Sequence, residues 1–342
     1  MMRTTLKIED AVGRPLAHDI TEISRSEFKG RAFKKGHIIR KEDICHLQRL
    51  GKRHVYVLDI QEGHLHEDDA ALALADAFCG PGVVRQDAPR EGKLKLIAAR
   101  DGLLKVDVAA LTRVNLLPDI MCASRHGNFL VTAGDTVAAT RAIPLTVDAA
   151  VIHEAVAIAK RGNGLFHVKS VIKPSAGLII TGNEIYHRLV EDQFEPILRE
   201  KLAFFQAKII GSRFSPDEPQ AIASEIKTLL DDGADLILTT GGMSVDPDDV
   251  TRAGVHMAGG RIDHYGAPIL PGAMFMIAYV GTVPILGIPA CGIYHETTIL
   301  DLILPRVLAG ETFSREDIAG MGHGGLCLNC TECRFPICPF GK

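Results

Sequence analysis

The stretch Asp235-Leu236-Ile237-Leu238-Thr239-Thr240-Gly241-Gly242-Met243-Ser244-Val245-Asp246-Pro247-Asp248-Asp249 runs apolar, stops in small and hydroxyl-bearing residues, and then turns acidic. Leu236 to Leu238 is too short for a convincing helix and is bounded by turn residues, which suits a parallel strand covered on both faces. Gly241 and Gly242 let a backbone come close to a ligand, and the hydroxyls of Thr239, Thr240 and Ser244 can hydrogen-bond phosphate or carbonyl oxygens. Asp246 followed by Pro247 fits an N-cap and a first helical position, which predicts a helix from about Asp248 to Met257 with free N–H groups facing the loop. Strand, loop and helix start together favour an anion.

The same pattern recurs on both sides. Gly177 to Ile180 reads as a buried strand ending in Thr181-Gly182-Asn183-Glu184. Phe194, Ile197, Leu198, Leu202 and Phe205 then fall on one helical face, followed by a strand at Lys208 to Ile210. Ser215-Pro216-Asp217-Glu218 has the form of a capping box opening a helix that carries Ile222, Ile226, Leu229 and Leu230 on one face and stops at Gly233. After the opening stretch come hairpin-like pieces at Arg261 to Tyr265 and Phe275 to Val280, then Pro284 to Gly292, again a strand running into a small-residue loop. Strands and helices alternating at this spacing predict a doubly wound sheet, with the loops after Thr181, Thr239 and Gly287 on one edge and the ligand in the crevice outside the strand ends.

Upstream the pattern is less regular. An amphipathic start at Ile8 to Leu16 precedes a basic loop holding Lys29, Arg31, Lys34 and Lys35; a helical Lys41 to Leu50 ends at Gly51 before a strand at His54 to Leu58. A helix over Gly63 to Phe78, short strands at Lys93 to Ala98, Phe129 to Val131 and Thr136 to Ala139, a helix over Lys105 to Asn115 and another over Asp148 to Arg161 predict a smaller mixed α+β region.

With 342 residues, 46% of them hydrophobic, the chain has material for two or three cores. A net charge of −4 and the absence of tryptophan give no reason to expect nucleic acid. No apolar run approaches the roughly 20 residues of a membrane span, and the first residues lack a signal-peptide core, so a cytoplasmic protein with no membrane partner is expected. Of eight cysteines, Cys45, Cys79, Cys122 and Cys291 stand alone and read as small inert hydrophobes, whereas Cys327, Cys330, Cys333 and Cys338 crowd the end as C-x2-C-x2-C-x4-C-P. That run is one residue longer than the bacterial ferredoxin pattern, so the four thiols are expected to hold an iron–sulfur cluster or a tetrahedral Zn²⁺, with His323 as a substitute ligand.

Thr181-Gly182-Asn183-Glu184, Thr240-Gly241-Gly242-Met243-Ser244-Val245 with Asp249, and Gly287-Ile288-Pro289 resemble, in order, the motifs of the molybdopterin-binding domain shared by molybdopterin molybdotransferases, gephyrin and small molybdopterin adenylyltransferases. Ala11 to Ile20 resembles the opening helix of the molybdotransferases, and Lys35 to Val57 their segment before the binding domain. The resemblance implies a three-layer α/β/α molybdopterin-binding domain at 173–310 and a molybdotransferase-like segment at 1–62, while the residue pattern itself marks a mixed α+β satellite with a linker helix at 63–172 and a cysteine-rich metal-binding tail at 311–342. It also implies molybdopterin or adenylated molybdopterin as the bound group, with Thr181, Gly182, Asn183, Glu184, Thr240, Gly241, Gly242, Ser244, Gly287 and Pro289 as its contacts. Mg²⁺ would sit on Asp249, with Asp248 beside it as a second catalytic carboxylate. Molybdate, a recipient molybdoenzyme and a homodimeric partner are the implied associates.

One departure bears on activity. Where the family carries a Lys-Pro-Gly-Lys-Pro segment, this chain reads Leu270-Pro271-Gly272-Ala273-Met274. Each lost lysine removes a charge-assisted contact to an anion. Binding or delivery of the pterin is therefore the first expectation, an active Mg²⁺-dependent molybdotransferase the alternative, and an enzyme resembling the nicotinamide-nucleotide deamidases a third.

Overall fold

A computed structural model describes residues 5–23, 29–57, 63–244, 246 and 249–342. It divides into two compact units, residues 1–127 with 131–168 and residues 128–130 with 169–342.

Among its described residues the first unit has two cores. Ile8, Ala11, Leu16, Ile20, Phe33, Ile39, Leu47, Val55 and Val57 form the smaller one. The resemblance predicts a helix at 11–20, but this stretch is built of turns and single bridges leading into a strand at Ile20–Ile23. Gly13 has φ +84 and donates its N–H to the Ile39 carbonyl, and Leu16 donates to the His37 carbonyl, so these backbone groups find partners across the chain and the turn at Ala11 does not continue as a helix. The basic loop is also corrected: Lys29–Phe33 is a strand, and the Lys35 ammonium lies 3.1 Å from Asp68, with its charge matched inside the unit. The larger core gathers around the helices Glu67–Phe78 and Ala149–Lys160 and a four-stranded antiparallel sheet containing Lys93–Ala98 and Thr136–Ala142. Asp148 caps its helix by accepting from the Ala150 N–H at 2.8 Å. The residues Lys105 and Val106 belong to a strand, Gly102–Val106, and the helix expected there begins only at Val108 behind the capping Asp107.

The second unit is built on one six-stranded sheet. Its strands are β1 (Ser175–Thr181), β2 (Lys208–Ser215), β3 (Leu236–Thr240), β4 (Arg261–Tyr265), β5 (Met276–Val280) and β6 (Val283–Ile288), in the order β2-β1-β3-β6-β5-β4. The pairs β1–β2, β1–β3 and β3–β6 are parallel, and β5 and β4 extend the sheet as antiparallel strands. Side chains alternate between two cores, as a pleated strand requires. Leu178, Ile180, Leu236, Leu238 and Leu286 face one layer, formed by α2 (Phe194–Phe204) and α5 (Ile299–Leu308). Ile179, Ile237 and Ile285 face the other, formed by α3 (Pro219–Asp231) and α4 (Thr251–Met257). Between β1 and α2 lies the single turn α1 (Asn183–Tyr186), and α6 (Arg315–Gly320) follows α5. This is the predicted doubly wound α/β/α arrangement.

Two predicted helix starts fall elsewhere. Ser215 ends β2 and does not cap a helix; α3 begins at Pro219, with Glu218 at its N-cap. The strand continues this far because Ser215 pairs with Thr181 of β1. Likewise α4 begins at Thr251 with Val250 at its N-cap, so Asp246 does not open it. Pro247 lies outside the described residues.

The C-terminal residues are built into this unit. Phe340 is 2% exposed and packs in the α2/α5 layer with Phe313 and Ile318. Ser314 and Asp317 make a reciprocal capping box on α6. The Leu270 N–H donates to the Gly325 carbonyl and the Cys327 N–H to the Leu270 carbonyl, both at 2.8 Å, which places residues 325–327 alongside the 269–272 loop. Among the described residues no helix is long and apolar enough to cross a membrane.

Candidate functional site

Ile180, Thr240 and Ile288 share one level of the sheet, because β1, β3 and β6 are successive parallel neighbours. The loops that leave these strands therefore emerge on one edge, at the carboxyl ends where doubly wound sheets hold ligands. A cavity of about 510 Å³ opens there, of a size suited to a small-molecule ligand.

The loop after β3 forms its floor through Gly241, Gly242, Met243 and Ser244, joined by Asp249. Gly241 (φ +76) and Gly242 (φ +58) take left-handed conformations that cost other residues strain. Space matters as well: a Cβ on Gly241 would stand 2.6 Å from Thr181 Oγ1, and one on Gly242 would run into Thr251 Oγ1. The loop is tied from behind. Thr251 donates its hydroxyl to the Gly241 carbonyl at 3.0 Å and its N–H to the Gly242 carbonyl at 3.2 Å. Tyr265 donates its hydroxyl to the Met243 carbonyl, and the Arg252 guanidinium stacks 4.2 Å over the Tyr265 ring. Asp249 accepts the Asp246 N–H at 2.9 Å, closing a turn in front of α4.

The loop after β6 gives a second wall: Pro289, Ala290, Cys291 and, further on, His295. Burial pushes the Cys291 thiol above its ordinary value of 9.0, leaving it a neutral thiol at physiological pH. The loop Leu270 to Met274 is the third wall, and Leu326, Cys327 and Asn329 of the C-terminal segment are the fourth. The described lining has no lysine or arginine, and Asp249 is its single carboxylate.

The structure thus brings together Gly241, Gly242, Ser244, Asp249 and Pro289 of the predicted site. Thr181, Thr240 and Gly287 lie behind the lining. Thr181 donates to the Thr240 carbonyl at 2.7 Å, the Thr240 side chain is fully buried, and Gly287 leaves room for the Met243 sulfur. Gly182 is buried at the N-cap of α1. Asn183 and Glu184 lie outside the cavity lining; Asn183 is exposed and exchanges hydrogen bonds with Asp217, at 2.9 and 3.1 Å. Asp248 lies outside the described residues. Sequence reasoning missed His295, Cys291 and the C-terminal contributors as lining residues. Cys291 follows Pro289 by two positions and was within reach of the motif, whereas Cys327 and Asn329 carry no local signal pointing to this loop.

Asp249 is the donor type a hydrated Mg²⁺ accepts, since that ion takes one or two carboxylates with water and phosphate completing its shell. The four C-terminal cysteines do not fit a closed metal site in this arrangement. Cys330 is exposed, Cys333 Sγ lies 3.2 Å from Thr297 Oγ1, and Cys338 packs against the α2/α5 core. Among the described residues no three His, Cys, Asp or Glu side chains are grouped so as to hold a metal ion. Of the isolated cysteines, Cys79 and Cys122 meet the expectation of inertness, their thiols pushed up by burial to about 11 and about 12, whereas Cys45 is exposed.

Comparison with known proteins adds to this geometry. Residues 177–309 match the family described as the probable molybdopterin binding domain, and residues 5–59 match a domain of unknown function. A CinA-like protein of Mycobacterium sp. (strain JLS) is 33% identical over 86 residues, 25% of this chain and 20% of its own length. One of Mycobacterium leprae (strain TN) is 32% identical over 81 residues, 24% and 19% of the two lengths. The chain thus spans about a fifth of these curated relatives. Among solved structures, the molybdopterin biosynthesis enzyme MoaB of Thermus thermophilus is 22% identical, with a TM-score of 0.33 over 41% of this chain and 98% of its own. The molybdopterin biosynthesis MoeA protein of Pyrococcus horikoshii is 13% identical, with a TM-score of 0.33 over 90% and 74%.

Proposed function

Because residues 177–309 form a domain of the molybdopterin-binding family, we propose that this chain binds molybdopterin, or its adenylate, in the cavity at the ends of β3 and β6, and serves molybdenum cofactor assembly by holding and delivering the pterin. One observation carries the choice of binder over catalyst: the described cavity lining has a carboxylate but no lysine or arginine. Moving an adenylate or inserting molybdate develops negative charge on phosphate and oxyanion oxygens, and positive groups aimed at that charge are what accelerate such steps. The walls here are Leu270, Pro271, Met274 and Pro289, which suit the faces of a flat heterocycle better than a string of phosphates.

The second reading keeps Asp249. With Mg²⁺ bound there through oxygen ligands, the ion would supply the positive charge that the side chains lack, and the chain would be a molybdopterin molybdotransferase acting on molybdate. In third place stands a nicotinamide-nucleotide substrate, which rests on the resemblance of the loop motifs to the nicotinamide-nucleotide deamidases. Delivery to a molybdoenzyme, action as a homodimer and a cytoplasmic site of action belong to the same proposal. Zinc or an iron–sulfur cluster on Cys327, Cys330, Cys333 and Cys338 would require residues 327–338 to regroup, and metal analysis of anaerobically purified protein tests it directly. Near-stoichiometric zinc or iron supports the metal, and its absence removes it.

The deciding experiment titrates the purified chain with molybdopterin, adenylated molybdopterin and nicotinamide mononucleotide under anaerobic conditions, then adds molybdate and Mg²⁺. Saturable pterin binding without adenylate release is the expected result. Adenylate release with molybdenum insertion would replace the binder by the enzyme. Binding of the mononucleotide alone would overturn both.

A further inference from the structure

The C-terminal segment stands out in the sequence for its cysteines, yet its position in the fold concerns the ligand cavity. Residues 325–327 are hydrogen-bonded to Leu270 on both sides of that residue. The attachment is anchored at its far end: Phe340 is buried, and the Gly341 N–H donates to the Gly324 carbonyl at 3.0 Å. The approach there is so close that a Cβ on Gly324 would run into the Lys342 carbonyl and one on Gly341 into Leu302. Residues 324 to 342 therefore form a closed loop fixed to the body of the unit, and the edge they present to the cavity is set by the fold.

We infer that this edge is a ligand-contacting wall, with Asn329 reading the polar rim of a flat heterocycle and the Cys327 thiol packing on its soft, polarisable part. The inference rests on the pterin reading above and specifies which residues give the site its selectivity. The cavity has apolar faces at Leu270, Pro271, Pro289 and Leu326 but few side chains able to pair with a ring edge. Asn329 carries an amide acceptor and two amide donors, which match the alternating acceptors and donors of a lactam joined to an amino-pyrimidine. Its backbone has φ +49, a left-handed conformation that asparagine tolerates and most residues do not. Two thiols, Cys327 here and Cys291 on the β6 loop, line the same cavity. A cysteine side chain presents a polarisable sulfur and at most a weak donor, compatible with a sulfur-bearing ligand and unhelpful to phosphate. The wall so described is suited to the ring and the sulfur-bearing part of the pterin, not to its phosphate end.

The test measures molybdopterin binding under anaerobic conditions for Asn329→Gly, which keeps the left-handed backbone while removing the amide, and for Cys327→Ala. Cys330→Ala and Leu328→Ala, outside the cavity lining, serve as controls. Hydrogen exchange of the wild-type chain, with and without molybdopterin, is followed in the peptides that carry residues 325–329 and 241–244. Roughly tenfold weaker binding for Asn329→Gly and several-fold weaker binding for Cys327→Ala are expected, with the controls within about twofold of wild type. Slower exchange in both peptides is expected on binding. Wild-type affinity in both variants, with protection confined to 241–244, overturns the wall and leaves the pterin site intact. Failure of the wild-type chain to bind molybdopterin at all overturns the pterin reading, and the wall with it. The exchange measurement needs no substitution, so a variant that fails to fold leaves the question answerable.

Discussion

Glu67→Gln should make the first unit more stable at alkaline pH and leave it unchanged in acid. Glu67 stands in the first turn of the helix Glu67–Phe78 and is only 7% exposed. Burial, and after it the neighbouring Asp68, push its carboxyl from the ordinary 4.5 up to about 7, against the opposing pull of Arg141 and Lys35. Between these two values the folded chain holds a proton that the unfolded chain has released, so stability falls as pH rises from about 4.5 to about 7 and is level beyond. At 1.36 kcal/mol per unit, the full loss is about 3 kcal/mol. His66 works in the opposite sense. Burial is the largest influence on it and lowers its pKa below 6.5, so its contribution is present above 6.5 and lost as pH falls. The wild-type curve mixes the two, and the difference between Gln and wild type separates them, because His66 is common to both. Urea unfolding followed by circular dichroism, with hydrogen exchange of the 67–78 amides to read this unit by itself, should show no difference near pH 4.5 and a gain of about 3 kcal/mol for the variant at pH 8. A difference that does not change with pH, or one that favours wild type at pH 8, would refute the burial argument.

The remaining predictions concern the cavity. Gly242→Ala places a Cβ against Thr251 Oγ1 and 3.2 Å from the Thr251 nitrogen at φ +58; the left-handed strain alone costs about 1–2 kcal/mol. It should weaken molybdopterin binding at least tenfold in a fluorescence titration, and affinity equal to wild type would show that the loop yields freely. Leu270→Lys combined with Ala273→Lys adds two cations to the lining, and should favour adenylated over bare molybdopterin by tenfold or more at low salt, an advantage that shrinks as ionic strength rises. An unchanged preference would mean the phosphate lies away from this loop. Asp249→Asn keeps an acceptor for the Asp246 N–H but removes the charge, so any effect of Mg²⁺ on adenylate binding should vanish in calorimetry while bare molybdopterin binds as before. A persisting Mg²⁺ effect would assign the ion to other ligands.

Much of the second unit can be read from local pattern, and the exceptions have one physical origin. Leu236 to Leu238 and Gly177 to Ile180 are apolar without interruption because both faces of the sheet are covered, and the small residues after them mark where cover ends. Local composition misplaces the starts of α3 and α4 because Ser215-Pro216 and Asp246-Pro247 suit a cap, whereas each helix begins only after the preceding chain has completed another pairing, a strand register for α3 and a turn for α4. Ser215 is still held by Thr181, and Asp246 by Asp249. The hydroxyls of Thr239 and Thr240 read as ligand groups on the same local logic, but the strand carries both inside.

The C-terminal segment shows the limit most clearly. Cysteine spacing is a strong local signal, and it points to a metal because neighbouring thiols can turn onto one ion. Opposing it are Phe340 in the core, the paired glycines at 324 and 341, and the two hydrogen bonds to Leu270, contacts made with residues distant in sequence. These contacts hold Cys327 in the lining of the ligand cavity. Cys327 is both a cavity-lining residue and one of the four thiols, so metal loading and pterin binding should oppose each other if Cys327 serves both. Zinc added at one equivalent should then weaken molybdopterin binding to the wild-type chain and leave binding to Cys327→Ala unaffected. An equal zinc effect in the two proteins would place the competition elsewhere and remove Cys327 as the shared residue.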